Sequence, residues 1–271
     1  MSVQNARVAQ GRTAEILGYG ECYVLKWFRP HIPRSFAEEE FRISQLVYQM
    51  GVSGPKPIEL LEYEQRIGIV YERLAGRTML SLIGSRPWNI RSEGKRLARL
   101  HAAIHAASIQ ELPQQHRVLA ERIEQAPSLT HAEKKRVMDQ LLSLPEGRQL
   151  CHGDFHPDNV MIDRKQEWVL DWMTGMSGNP AGDAARTIVL LEMGAVPEGT
   201  SRWLQSLLSY IRRQLVYHYK KSYVQLTGMQ LKEIEDWMIP VAAARLVEGV
   251  PEVEKSQLTT YIRKQLHIMS I

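Results

Sequence analysis

The chain has 271 residues, enough for one large domain or two small ones, and its 44% apolar and 24% charged residues are those of an ordinary globular protein. No apolar run approaches the roughly 18 to 20 residues of a membrane span, and residues 1–12 lack the basic-then-apolar pattern of a secretion signal. Two cysteines, Cys22 and Cys151, are too few for a disulfide framework and point to a cytoplasmic setting, and a net charge of +4 does not mark a nucleic-acid binder. Neither nucleic acid nor membrane is therefore expected as a partner.

In chain order, residues 3–10 and 14–17 read as strands, the second ended by the turn Gly18-Tyr19-Gly20. Residues 22–28 are a third strand, rich in side chains that suit a pleated surface. A helix is expected over 35–50, where Phe36, Ile43, Val47 and Met50 recur at helical spacing and Gly51 closes the run. Segments 58–63 and 67–72 are two further strands, and Leu74-Ala75-Gly76 breaks the pattern. Beyond it the signal is mostly helical. Residues 91–107 carry Leu97, Leu100 and Ile104 on one face, and 130–144 begin with a capping box, Thr130 and Glu133. From residue 200 onward helices are expected, interrupted near Gly228, Pro240 and Pro251. One island of strand lies at about 160–172. The chain is thus α+β: a sheet-rich part with one helix over 1–72, a hinge at 73–76, and a larger, mainly helical part over 77–271.

The chemistry concentrates in His152-Gly153-Asp154-Phe155-His156-Pro157-Asp158-Asn159, followed by Val160-Met161-Ile162 and by Trp168-Val169-Leu170-Asp171. Two apolar triplets flank a polar turn, a hairpin pattern. A turn centred on Lys165 sets Ile162 opposite Trp168 and Asn159 opposite Asp171. A carboxylate and an amide oxygen then meet at the open end of the hairpin, both hard oxygen ligands of the kind Mg²⁺ prefers. Asp154 lies in the loop before the hairpin, able to reach the same site without being tied into a strand.

These residues resemble the catalytic core of the aminoglycoside phosphotransferase and choline kinase superfamily. The likeness lies in Leu150, His152-Gly153-Asp154, Asn159-Val160-Met161, Val169-Leu170-Asp171-Trp172 and the later Gly182-Asp183. It covers about residues 5–190. It implies a two-lobed protein-kinase-like fold and transfer of the γ-phosphate of ATP to a hydroxyl of a small molecule. Asp154 would be the base toward that hydroxyl, and Asn159 and Asp171 the Mg²⁺ ligands. The adenine is implied to lie against the carbonyl of Glu72 and the amide of Leu74. The alternative is a non-catalytic binding or regulatory protein on a kinase-like scaffold.

The N-terminal part can be checked against that expectation. A nucleotide kinase of this fold needs a cation on the third strand, oriented by a helix carboxylate. Lys26 stands in an otherwise apolar strand. Of Glu38, Glu39 and Glu40, Glu40 shares the face of Phe36, Ile43 and Val47 and is chosen, with Glu39 next. Gly18-Tyr19-Gly20 lies too near Lys26 to be the phosphate-covering loop. Gln10-Gly11-Arg12-Thr13 has the right place, with Gly11 permitting close backbone approach. His101 and His105 sit one helical turn apart, but Ala-Ala-Ile between them lacks the Glu of a zinc hydrolase, so they are read as structural. Asp183 is expected to anchor the catalytic loop or the next helix. Glu192, Glu233, Glu235 and Asp236 are read as solvated faces before cation attractors.

Overall fold

The computed structural model describes residues 3–11, 13–164, 166–194 and 201–269. Its elements in order are β1 (Val3–Gln10), β2 (Ala14–Tyr19), β3 (Tyr23–Phe28), α1 (Arg34–Gln49), β4 (Pro57–Tyr63), β5 (Arg66–Glu72) and β6 (Arg77–Thr78). They continue as α2 (Met79–Ser85), α3 (Ile90–His105), α4 (Gln115–Gln125), α5 (His131–Ser143), β7 (Gln149–Cys151), β8 (Val160–Ile162), β9 (Glu167–Val169) and β10 (Met176–Gly178). The last four are α6 (Pro180–Met193), α7 (Arg202–Thr227), α8 (Leu231–Arg245) and α9 (Glu252–Ile268). They form two compact units, Met1–Ser81 with Asp158–Thr174, and Leu82–Pro157 with Gly175–Ile271. The units are not contiguous in sequence: the hairpin β8–β9 packs with the N-terminal strands.

In the first unit five antiparallel strands run in the order β1-β2-β3-β5-β4. Alternation along β3 sends Val24, Lys26 and Phe28 to one face and Leu25 and Trp27 to the other. Phe28 joins Ala14, Ala37, Ile69 and Tyr71 in one apolar cluster, and Leu25 joins Leu17, Tyr19 and Val70 in another. The first cluster includes Ala37 of α1, so Lys26 lies on the side that this helix covers. The buried positions of α1 are Ala37, Glu40, Ile43, Ser44 and Val47, a stripe at helical spacing that carries Glu40 inward with the apolar residues. A smaller sheet, β6-β8-β9, completes the unit. Gly76 precedes β6 where a Cβ would lie 2.8 Å from the Ile162 carbonyl oxygen, so only glycine lets this backbone lie against β8.

In the second unit α3 packs along α7, and α8 is surrounded by α4, α5, α6 and α9. Helix α6 is buried on nearly every side, as its alanine-rich and apolar sequence requires. The capping box at α5 forms, with Thr130 Oγ1 accepting from the Glu133 amide and Glu133 Oε2 accepting from the Thr130 amide. Strands β7 and β10 pair antiparallel on either side of the expected strand island, and neither they nor α4 were foreseen. Three residues each are too few to show a period.

One expectation is overturned. Pro240 does not interrupt the C-terminal helices but lies inside α8. A proline removes the amide that would bond the carbonyl four residues earlier. That carbonyl belongs to Asp236, and Gln140 Nε2 of α5 donates to it at 2.7 Å. A side chain from a neighbouring helix thus supplies the missing donor. Gln140→Met should leave the carbonyl unsatisfied and lower stability by about 1–2 kcal/mol. Urea unfolding should show an earlier midpoint at an unchanged slope.

Candidate active site

Lys26 and Glu40 reach one another because strand and helix periodicity turn both inward. Lys26 Nζ lies 2.6 Å from Glu40 Oε1 and 3.1 Å from Asp171 Oδ1. Tyr71 Oη donates to the same Glu40 oxygen at 3.4 Å and lies 2.9 Å from Ser44 Oγ. Burial works against a charge on Lys26, but the Glu40 and Asp171 carboxylates outweigh it and hold the ammonium above its usual range. Glu39, the second candidate, instead pairs with Arg42 at the surface, and Glu38 with Arg34.

The hairpin register differs by one residue from the expected one. Val160 faces Val169, Met161 faces Trp168 and Ile162 faces Glu167. The turn is tighter than assumed: the Asp163 amide bonds the Gln166 carbonyl, and Asp163 Oδ1 accepts from the Gln166 amide. The polar composition of residues 163–167 does not distinguish a two-residue from a three-residue tip. Asn159 therefore faces Leu170, whose amide donates to the Asn159 carbonyl at 2.9 Å. Asp171 follows with φ 60°, a left-handed conformation uncommon outside glycine, which Asp and Asn tolerate best. This bend takes Asp171 out of strand geometry and leaves its side chain 47% exposed while it bonds Lys26. Asn159 is thus bonded to the residue before Asp171 rather than facing Asp171 across the strands, and the two side chains offer hard oxygens of the kind that fits Mg²⁺.

The remaining nucleotide candidates are main-chain groups. Glu72 ends β5, and Leu74 follows in the irregular segment before β6. Gly11 lies between β1 and β2, with its amide donating to the Ala14 carbonyl and its own carbonyl accepting from Arg29 Nη2. A Cβ there would meet nothing closer than 3.5 Å, so sterics do not require glycine at 11. Arg12 of the same turn lies outside the described residues.

In the second unit, the segment 152–155 is held by three side chains of α6, one turn of one helix face. Asp183 accepts from the amides of His152 and Gly153 at 2.5 and 2.9 Å. Arg186 Nε donates to the Gly153 carbonyl at 3.0 Å, and Arg186 Nη2 to Asp154 Oδ1 at 3.2 Å. Thr187 Oγ1 donates to the Phe155 carbonyl. Gly153 has φ 76°, so the bend that presents Asp154 requires glycine. Arg186 and Thr187 were missed in the sequence. Their signal was the offset of three and four residues from Asp183, which puts all three on one helical face. Glu192 pairs with Lys220, Asp236 with Lys232, and Glu233 caps α8 through the Gln230 amide.

The fold is the α+β protein-kinase-like fold. A thermostable mutant of the aminoglycoside phosphotransferase APH(4)-Ia, in its apo form, superposes with a TM-score of 0.67 at 17% identity, covering 97% of this chain and 94% of that one. The amicoumacin kinase hAmiN, in complex with AMP-PNP, Ca²⁺ and Ami, gives 0.63 at 14% identity over 97% and 88%. A choline/ethanolamine kinase family protein from Mesorhizobium loti gives 0.59 at 13% identity over 97% and 87%. The profile of the Phosphotransferase enzyme family matches residues 6–215, and the chain belongs to that family. No curated protein sequence matches it. Among the described residues, no helix is long and apolar enough to cross a membrane.

The Asp183 carboxylate has a further, wholly buried pair of partners. His101 Nε2 and His105 Nε2 lie 3.1 and 3.2 Å from its Oδ2. Their Nδ1 atoms lie 2.7 and 2.6 Å from the hydroxyls of Tyr219 and Tyr223. An ionised carboxylate only accepts, so both Nε2 atoms carry hydrogen, and in neutral His101 Nδ1 accepts from the Tyr219 hydroxyl. All four ring nitrogens have a partner. Burial, and then the neighbouring His105, push His101 down to about 3. Burial pushes Asp183 up, but His101 and His105 outweigh it and hold the carboxyl well below its usual range.

The unfolded chain takes up a proton on His101 near its ordinary 6.5, whereas the folded protein refuses it until about 3. Acidification through that window therefore favours unfolding, and Asp183 acts in the same direction below about pH 4. Stability should fall between pH 6.5 and the His101 value of about 3. One proton contributes a slope of about 1.4 kcal/mol per pH unit. Urea unfolding across this range should show a shallower slope for His101→Gln than for the parent.

Proposed function

We propose that the protein is an ATP- and Mg²⁺-dependent kinase of a small hydroxylated molecule. The observation that carries the reading is the charge arrangement Glu40–Lys26–Asp171, a protonated lysine between a buried helix carboxylate and one on a left-handed bend. A structural ion pair would not need the second, half-exposed carboxylate. Phosphates and a divalent ion would. Support also comes from similar folds that carry nucleotide: AMP-PNP with hygromycin B in APH(4)-Ia, and AMP-PNP with Ca²⁺ in hAmiN.

On this reading residues 1–72 are the nucleotide lobe and 73–76 the hinge. Lys26 holds the phosphates and Glu40 orients it. The Glu72 carbonyl and Leu74 amide meet the adenine, and the Gly11 turn lies over the phosphates. Asn159 and Asp171 hold Mg²⁺, which when bound neutralises charge on the phosphate oxygens. Asp154 accepts the proton of the acceptor hydroxyl as its oxygen bonds to the γ-phosphorus and the bond to ADP breaks. Burial pushes the Asp154 carboxyl up, but the hydrogen bond with His156 and the charge of Arg186 outweigh it and keep it well below the usual carboxylate range. So weak a base suits a loose transition state, in which orienting the hydroxyl matters more than removing its proton early.

Lys26→Ala should weaken ATP binding by about tenfold or more, about 1.4 kcal/mol. Titration calorimetry with MgATP checks this, and unchanged affinity would remove Lys26 from the nucleotide site. Asp154→Asn keeps the shape of the side chain but not its charge. Turnover in a screen of hydroxylated metabolites and antibiotics, read as ADP release, should fall roughly 10²-fold or more. ATP affinity should stay within about threefold, since the lost group serves the acceptor. Retained turnover with lost ATP affinity would reassign Asp154 to the nucleotide or metal.

A further inference from the structure

Asp154 is not left to find its own orientation. One edge of the Arg186 guanidinium, Nε and Nη2, grips the carbonyl of Gly153 and the Oδ1 of Asp154 together. Main chain and side chain of adjacent residues are thus read by a single planar group, which Lys could not reproduce. The second hydrogen of Nη2 goes to Glu248 Oε2 at 2.6 Å. Glu248 is in turn held by Arg245 Nη1 at 2.9 Å and by Arg122 Nη1 at 3.0 Å. Arg245 is anchored by Glu254 at 2.5 Å. The Arg186 side chain is 9% exposed and that of Asp154 34%, so the arginine works from beneath the loop while the carboxylate faces outward. His156 Nε2 lies 3.5 Å from the other carboxylate oxygen, Asp154 Oδ2.

We propose that Arg186 is a positioning residue for phosphoryl transfer: clamped from behind by Glu248, it fixes the direction of the Asp154 carboxylate toward the acceptor hydroxyl. The proposal rests on Asp154 being the base toward the acceptor. It assigns to α6 two separable tasks on one loop. Asp183 holds the amides of the backbone, and Arg186 aims the side chain. The depressed Asp154 carboxyl agrees with a cation held at this distance.

The test uses Arg186→Met, Arg186→Lys and Glu248→Gln in the full chain. Removing the Arg186 charge leaves Glu248 still paired with Arg122 and Arg245, so the variant is not left with an uncompensated buried carboxylate. The first readout needs no activity: the carboxyl ¹³C resonance of Asp154, identified by its loss in Asp154→Asn, is followed against pH. Its midpoint should rise by about one unit or more in Arg186→Met. The second readout is ADP release from MgATP with water as acceptor. Its kcat should fall about tenfold or more in Arg186→Met, with KM for ATP within about threefold, and recover in part in Arg186→Lys. Should Arg186→Met fail to fold by circular dichroism, Glu248→Gln, which loosens the clamp but keeps the Arg186 charge, should lower kcat in the same direction by less, and an unchanged kcat there overturns the proposal. An Asp154 resonance that titrates identically in the parent and a folded Arg186→Met overturns the proposal, as does a kcat that Arg186→Met leaves unchanged. A resonance that moves in an enzyme whose parent releases no ADP supports the positioning by Arg186, and it is the kinase reading that fails.

Discussion

The second unit is organised around one buried negative charge. Asp183 is 1% exposed and accepts from two backbone amides and two imidazoles. A carboxylate in such surroundings is tolerable only when its oxygens are fully engaged, and each donor comes from a different stretch of chain or a different turn. The His152-Gly153 peptide is thereby fixed to α6, and α3 is fixed through His101 and His105. Helix α7 is drawn in through Tyr219 and Tyr223, which hold the outer nitrogens of those rings. The left-handed turn at Gly153 and the position of Asp154 follow from this anchoring.

The first unit solves a related problem with the opposite sign. Lys26 is a cation in an apolar sheet face, and Glu40 balances it from the covering helix. What distinguishes it from an internal ion pair is Asp171, whose backbone takes a left-handed conformation to leave β-geometry. Non-glycine residues in that region cost of order 1 kcal/mol or more and persist where the surroundings impose them. Here the Leu170–Asn159 backbone bond ends the hairpin and Lys26 receives the carboxylate.

Much of this could be read in the sequence because it depends on period and on local chemistry. Strands 58–63 and 67–72, the helix after residue 34 and the capping box of Thr130 emerged within one or two residues of their observed limits. The choice of Glu40 over Glu39 followed from helical offsets to Ile43 and Val47, and the observed burial stripe has the same offsets. The hairpin register was misjudged because a polar turn carries no mark of its own length. Pro240 was misjudged because the rule for proline concerns an isolated helix, while Gln140 on another helix repairs the loss.

By itself, then, the sequence determined the α+β class, Lys26 as the charged residue of an apolar strand, the inward position of Glu40, and the loop containing Asp154. These depend on contacts between residues a few positions apart, which alternation and helical spacing encode. Only the tertiary structure decided that Lys26 meets Asp171, 145 residues away, and that Arg186 and Glu248 stand behind Asp154. It also decided that His101 and His105 surround a carboxylate 82 and 78 residues on. Such partners leave no periodic trace. A buried charge specifies that it must be compensated, but which distant side chain does so depends on how helices and strands pack.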